Sequence, residues 1–165
     1  MNAYLPCAAV CIAFVCTHFL MSHPLRAMLV YRLRGNGFAL LYSAVSLGLF
    51  YWMITAFVQA PKGDYFWPVG DVLWGVTSVL TLIAGVLFSG SFIRNPALPG
   101  VPDALAAPEP SGVFKVTRHP MMWGFAIWAI VHALVAPYSA SFVLTLGMLV
   151  LALGGSAGQD RKKAK

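Results

Sequence analysis

Five long apolar stretches that contain no Lys, Arg or Glu constrain this chain more than any other feature: residues 3–21, 37–59, 70–93, 120–136 and 139–155. Each reaches the ~17 residues that a helix needs to cross the hydrocarbon core of a bilayer. Asp71 touches one of them, at its edge. Backbone groups in hydrocarbon must satisfy one another, so stretches of this kind fold as helices. Composition agrees. The chain is 59% hydrophobic and 10% charged, against about 25% charged in an ordinary soluble domain. A water-soluble globular protein is excluded. The expected fold class is all-α, a polytopic integral membrane bundle of five transmembrane helices in one domain spanning 1–165.

Orientation follows from the basic residues. Arg26, Arg32 and Arg34 fall in the first connection, Arg94, Lys115 and Arg118 in the third, and Arg161, Lys162, Lys163 and Lys165 in the tail. Lys62 alone lies on the other side. The positive-inside rule then puts the N-terminus and second connection outside and the C-terminus in the cytoplasm. No basic residues precede the first stretch, and Ser22-His23-Pro24 replaces a small-residue cleavage site, so it reads as a retained helix. The basic residues are scattered between apolar blocks, which argues against nucleic-acid binding despite a pI near 9.5. Cys7, Cys11 and Cys16 share one apolar stretch and do not form a secreted disulfide framework.

Two connections are informative. Only Pro137 and Tyr138 separate the last two stretches, which makes them antiparallel neighbours. The third connection, 94–119, carries Pro96, Pro99, Pro102, Pro108 and Pro110. It is either a stiff lid over a cytoplasmic opening or a plain spacer. Ala126, Ala129, Ala133 and Ala136 provide small residues for close helix approach.

Polar groups inside membrane spans must face protein or a cavity. At 100° per residue, Cys7, Cys11, His18 and Ser22 form one stripe, which is expected to look into the bundle. The cysteines read as small core residues. His18 needs a partner in a low-dielectric setting, whereas His23, before Pro24, reads as a solvated loop histidine. The second constellation is Thr117-Arg118-His119-Pro120-Met121-Met122-Trp123-Gly124. Pro120 suits a first helical turn, and Arg118 beside a helix start makes an anion site. His132 lies thirteen residues deeper and about 140° away from His119, sharing a face with Trp128, and reads as structural.

His18 closes the first helix and His119 opens the fourth, so both fall at one depth. Two neutral imidazoles from different helices in an apolar slot are a geometry for clamping a haem b iron. Met121, Met122, Trp123 or Phe19 would rest against the porphyrin, and Arg118, Lys115 or Arg26 would meet its propionates. No Cys-x-x-Cys-His stretch is present for covalent attachment. Zinc is disfavoured because the spans offer no carboxylate as a third ligand.

The run 114–134, with Thr117-Arg118-His119-Pro120-Met121 and Trp128 followed by His132, closely resembles the NnrU family of bacterial membrane proteins. His18-x-x-x-Ser22, Leu41-Tyr42-Ser43 with Ser46, and Gln159-Asp160-Arg161 also match that family's pattern, so the likeness covers essentially the whole chain. It implies a multi-helix bundle of the bacterial inner membrane and a link to denitrification and nitric-oxide metabolism. Plant relatives are the zeta-carotene isomerases, membrane haem b enzymes whose ligating histidines resemble His18 and His119. The resemblance thus implies a haem b site and a hydrophobic polyene-like substrate or nitric oxide as partner, besides the lipid bilayer. Family members usually continue past the Asp-Arg stretch into a short amphipathic tail, and this sequence stops at Lys165.

Two alternatives stay open. Arg118, His119 and Gly124 are similar to the Arg-His-Pro element of the isoprenylcysteine carboxyl methyltransferases and phospholipid methyltransferases, which bind S-adenosylmethionine there. Those enzymes also use an acidic residue and an aromatic-rich segment after the final helix pair, where residues 158–163 fit poorly. The other alternative is a non-catalytic haem-binding accessory subunit of a respiratory complex.

Overall fold

In a computed structural model, residues 3–93 and 110–163 are described, and they form five α-helices with no strand among them: α1 (Leu5–Ser22), α2 (Arg26–Gln59), α3 (Asp71–Gly90), α4 (Pro120–Val135) and α5 (Ser139–Lys163). A short 3-10 turn, Gly112–Lys115, precedes α4. The proline-rich segment read as a lid or spacer falls mostly outside the described residues.

Among the described residues, four helices are long and apolar enough to cross a membrane: α1, α2, α3 and α5. The expected fifth span is the one correction to that count. α4 is apolar but has 16 residues, which at 1.5 Å per residue reach about 24 Å against a hydrocarbon core of about 30 Å. Pro120 begins it and Ala136-Pro137 ends it, so the prolines set its length.

Two helices also run further than the apolar stretches suggest. α2 begins at Arg26, eleven residues before the expected start at 37, and it is interrupted at Arg34, whose φ of 60° and ψ of 174° are not helical. α5 continues past Gly155 to Lys163. Hydropathy marks where a helix leaves hydrocarbon, not where its hydrogen bonds stop, and Gln159, Asp160 and Arg161 extend a helix in water without difficulty.

The helices pack side by side in the order α2, α1, α5, α4, α3, with α5 in the middle. Glycines mark how closely it is held. Gly147 faces Cys11 and Gly154 faces the Phe19 ring, both on α1, while Gly155 faces Met122 on α4. Gly124 of α4 abuts the backbone of α3 at Ala84 and Phe88. The antiparallel α4–α5 pair expected from the short connection is present, with Ala126 and Ala129 almost fully buried.

The core runs through Cys7, Val10, Cys11 and Phe14 of α1, Met53 and Ala56 of α2, Ala129 of α4, and Leu144 and Met148 of α5. The inward stripe read from α1 is therefore real at Cys7 and Cys11. At the Lys62 end, the connection between α2 and α3 folds over the α4–α5 turn. Phe66 N–H donates to Pro137 O at 2.8 Å, and the Trp67 indole N–H to Leu134 O at 3.0 Å. Tyr65 stacks on Tyr138, and Phe66 and Trp67 pack on Phe142. Burial and the neighbouring Tyr65 push the Tyr138 phenol above its ordinary pKa.

Candidate functional site

Antiparallel packing brings the ends of α1, α3 and α5 and the starts of α2 and α4 to one end of the bundle, together with Arg26, Arg32, Arg34, Lys115, Arg118 and Arg161. Two polar clusters lie there, and each joins sequence elements that are far apart in the chain.

The first lies between α1 and α2. The His18 Nδ1–H donates to Phe14 O at 2.9 Å, one turn back. Its ring packs on Phe14 at 4.3 Å and meets Tyr42 edge-on at 5.3 Å. Ser22 Oγ donates to the Tyr42 hydroxyl at 3.4 Å. Tyr42 also contacts Phe38, over whose face Arg26 stands at 5.2 Å. A guanidinium on an aromatic face gains roughly 0.5–1 kcal/mol at an exposed site. The His18/Ser22 element and the Tyr42 element thus form one cluster.

The second lies between α4 and α5. His119 occupies the N-cap of α4, directly before Pro120 at the first position. It is buried, and its Nε2–H donates to Asp160 Oδ1 at 2.8 Å. Asp160 itself is 53% exposed, so the pair stands at the rim of the bundle. The His119 backbone N–H donates to Thr117 Oγ1 at 3.3 Å. His23 is exposed but not simply solvated as expected. Its ring lies against Gly158, two residues before Asp160, where an added Cβ would push the ring aside.

The other expected site residues spread around this end. Arg118 is exposed. Met121 is half-buried, and Met122 lies beside Gly155. Trp123 is nearly half exposed on the outer face. His132 donates Nδ1–H to Trp128 O at 2.8 Å and packs on the Trp128 ring at 4.1 Å, a pairing its spacing on the helix predicts. His18 and His119 are at the same end of the bundle, but each is engaged with a different neighbour. His18 turns to α2 and His119 to α5, and α5 stands between α1 and α4.

Away from both clusters is an apolar cavity of about 340 Å³ that sequence reasoning missed. Phe50, Met53 and Ile54 of α2 line one side, and Thr81, Ala84, Gly85 and Phe88 of α3 the other. Gly124, Phe125 and Trp128 of α4 with Leu144 and Met148 of α5 make its floor. The one hydroxyl in the lining, on Thr81, donates to Thr77 O at 2.8 Å. Because α2 and α3 are not packed along one another, the cavity opens sideways between them. Apolar periodicity cannot reveal such a cleft, since lipid-facing and cleft-facing residues are equally apolar.

Among the described residues, the fold and its polar end thus define a helical bundle with four membrane-length helices and a lateral apolar cleft. The chain belongs to the NnrU family: the model of the NnrU protein family matches residues 7–165, nearly the whole length. No curated protein and no solved structure matches it.

Proposed function

We propose that this NnrU-family chain is a multi-pass inner-membrane protein, with its basic end in the cytoplasm, that takes a polyene-like molecule from the bilayer into the cleft between α2 and α3. We propose further that it holds haem b at its cytoplasmic end, in the service of isomerisation or of nitric-oxide-linked redox chemistry. The sideways-opening cavity is the observation that carries this reading. A ligand moving from lipid into such a cleft gains no hydrophobic burial, because it leaves an equally apolar medium. Selection must come from dispersion and ring contacts. Phe50, Phe88, Phe125 and Trp128 favour a flat conjugated body, and the one hydroxyl in the lining, on Thr81, is already engaged with Thr77 O.

For haem b, His18 is chemically suitable. Its Nδ1–H is taken by Phe14 O, which leaves a lone pair on Nε2, the arrangement found in metal-ligating histidines. Bound haem would supply a redox-active, Lewis-acidic iron. The chain's own contribution is to orient the imidazole through Phe14 and Tyr42 and to exclude water with the surrounding apolar helices.

The test is energy transfer from Trp128 to all-trans-retinol in nanodiscs. A Cβ on Gly85 would meet nothing within 4 Å, and Gly85 lines the cleft, so Gly85→Phe starts into open space and places its ring there. Transfer should be lost in Gly85→Phe and sharply reduced in Trp128→Phe. Undiminished transfer in Gly85→Phe would sink the cleft reading.

One observation favours a second reading. Asp160 reaches His119, and so places an acidic residue of the last helix beside the Arg118-His119-Pro120 element. That supplies one of the two features the methyltransferase resemblance calls for after the final helix pair, the acidic residue, and not the aromatic-rich segment. Saturable binding of S-adenosylmethionine, lost in Arg118→Ala, would establish it.

A further inference from the structure

The two histidines that the sequence suggests as an axial pair present opposite ring chemistry. In His18 the protonated nitrogen is Nδ1, 2.9 Å from Phe14 O, and Nε2 carries the lone pair. In His119 the nitrogen that donates to Asp160 is Nε2 itself, at 2.8 Å. A ring N–H has no lone pair to give a metal. The remaining nitrogen of His119, Nδ1, adjoins the Cβ-bearing carbon, so a macrocycle bound there would run into the residue's own main chain at the α4 N-cap.

Packing points the same way. A haem held by both rings would have to stand between α1 and α4, and that space is filled by the last turns of α5. Gly154 lies under Phe19, Gly155 beside Met122, and Gly158 under His23. The three small residues let α5 wedge between its neighbours, and Asp160, two residues further on, is fastened to His119.

We infer that His119 is the residue that fastens α5 to the start of α4 and not an iron ligand. The inference rests on the haem reading above and narrows it.

The test has a haem-free arm and a haem arm, both on the full chain in detergent. In the haem-free arm, His119→Ala and Asp160→Ala are combined in a double-mutant cycle on thermal unfolding. Loss of stability in each single variant, with the double losing less than the two singles together, is expected, and simple additivity would overturn the fastening role. His119→Gln keeps an N–H donor toward Asp160 and should unfold close to wild type.

In the haem arm, haemin is added and haem per chain is measured as the pyridine haemochrome, with ferric, ferrous and carbon-monoxide spectra. His119→Gln should keep wild-type haem content and spectrum. His18→Ala should lose haem by more than about tenfold, and added imidazole should restore it. A His119→Gln variant whose ferric spectrum changes spin state, or which loses haem, would overturn the exclusion of His119 as a ligand. A wild-type chain that takes up no haem would overturn the haem reading itself. The fastening role would still stand or fall by the haem-free arm.

Discussion

Gly124 of α4 lies so close to Ala84 of α3 that a Cβ at position 124 would stand 3.0 Å from the Ala84 carbonyl oxygen, and 3.2 Å from the backbone nitrogen and Cβ of Phe88. The neighbours are largely main chain and cannot rotate aside. Gly124 therefore sets the distance between two helices that both line the cleft.

Gly124→Ala should push α3 and α4 apart and cost about 1–3 kcal/mol, the usual range for overpacking. Gly154→Ala meets only the far end of the Phe19 ring, which can swing away, and should cost less. Thermal unfolding of both variants in one detergent checks the order. Equal midpoints would mean that the α3–α4 contact is softer than its geometry.

The His119–Asp160 bond crosses the bundle rim with one partner buried and the other half in water. Solvent screening limits its worth, so Asp160→Asn, which keeps an acceptor, should lower stability by no more than about 1 kcal/mol. Asp160→Ala should cost more, because it leaves the buried imidazole N–H unpaired. The two variants are compared by unfolding midpoint at neutral pH. If Asn proves as damaging as Ala, the charge and not the hydrogen bond holds the pair.

Trp67 ties the α2–α3 connection to Leu134 O through its indole N–H. Trp67→Phe keeps a ring against Phe142 but removes the donor, and should cost about 0.5–1.5 kcal/mol. Hydrogen exchange should rise across 60–69 and leave the amides of α1 unchanged. Faster exchange throughout the chain would show that the connection supports the whole bundle.

Arg34 holds φ 60° and ψ 174°, a region that glycine adopts freely and other residues reach at a cost of about 1–3 kcal/mol. Arg34→Gly should therefore stabilise the chain, by roughly 1 kcal/mol once the added freedom of the unfolded chain is counted. Urea unfolding measures it. A loss of stability would mean that the Arg34 side chain makes up for its backbone.

Much of the polar end is legible residue by residue. Pro120 announces the first turn of α4, and Trp128 and His132 pair as a spacing of four requires. The stripe through Cys7 and Cys11 points inward as helical periodicity demands. The bond from His119 to Asp160 was not legible, because it depends on α5 continuing beyond its apolar stretch, and polar residues at a helix end read equally well as tail. The cleft was hidden for a different reason. Nothing distinguishes Phe50 or Leu144, which line it, from Leu47 or Leu146, which are exposed on the outer surface.

Covalent order and side-chain apolarity are enough to establish helices of membrane length, their sequence along the chain, and the antiparallel pairing across Pro137 and Tyr138. Those are local properties: a run of apolar residues must satisfy its backbone within itself, and a short connection leaves one arrangement. Which helix lies beside which is settled only by packing. Gly124 admits the backbone of α3, and Gly147, Gly154 and Gly155 admit α1 and α4 around α5, so α5 and not α4 is the neighbour of α1. In a chain whose every face is apolar, hydrophobicity cannot choose partners. Shape does, at the few positions where a missing Cβ lets two helices meet, and it is shape that parts His18 from His119.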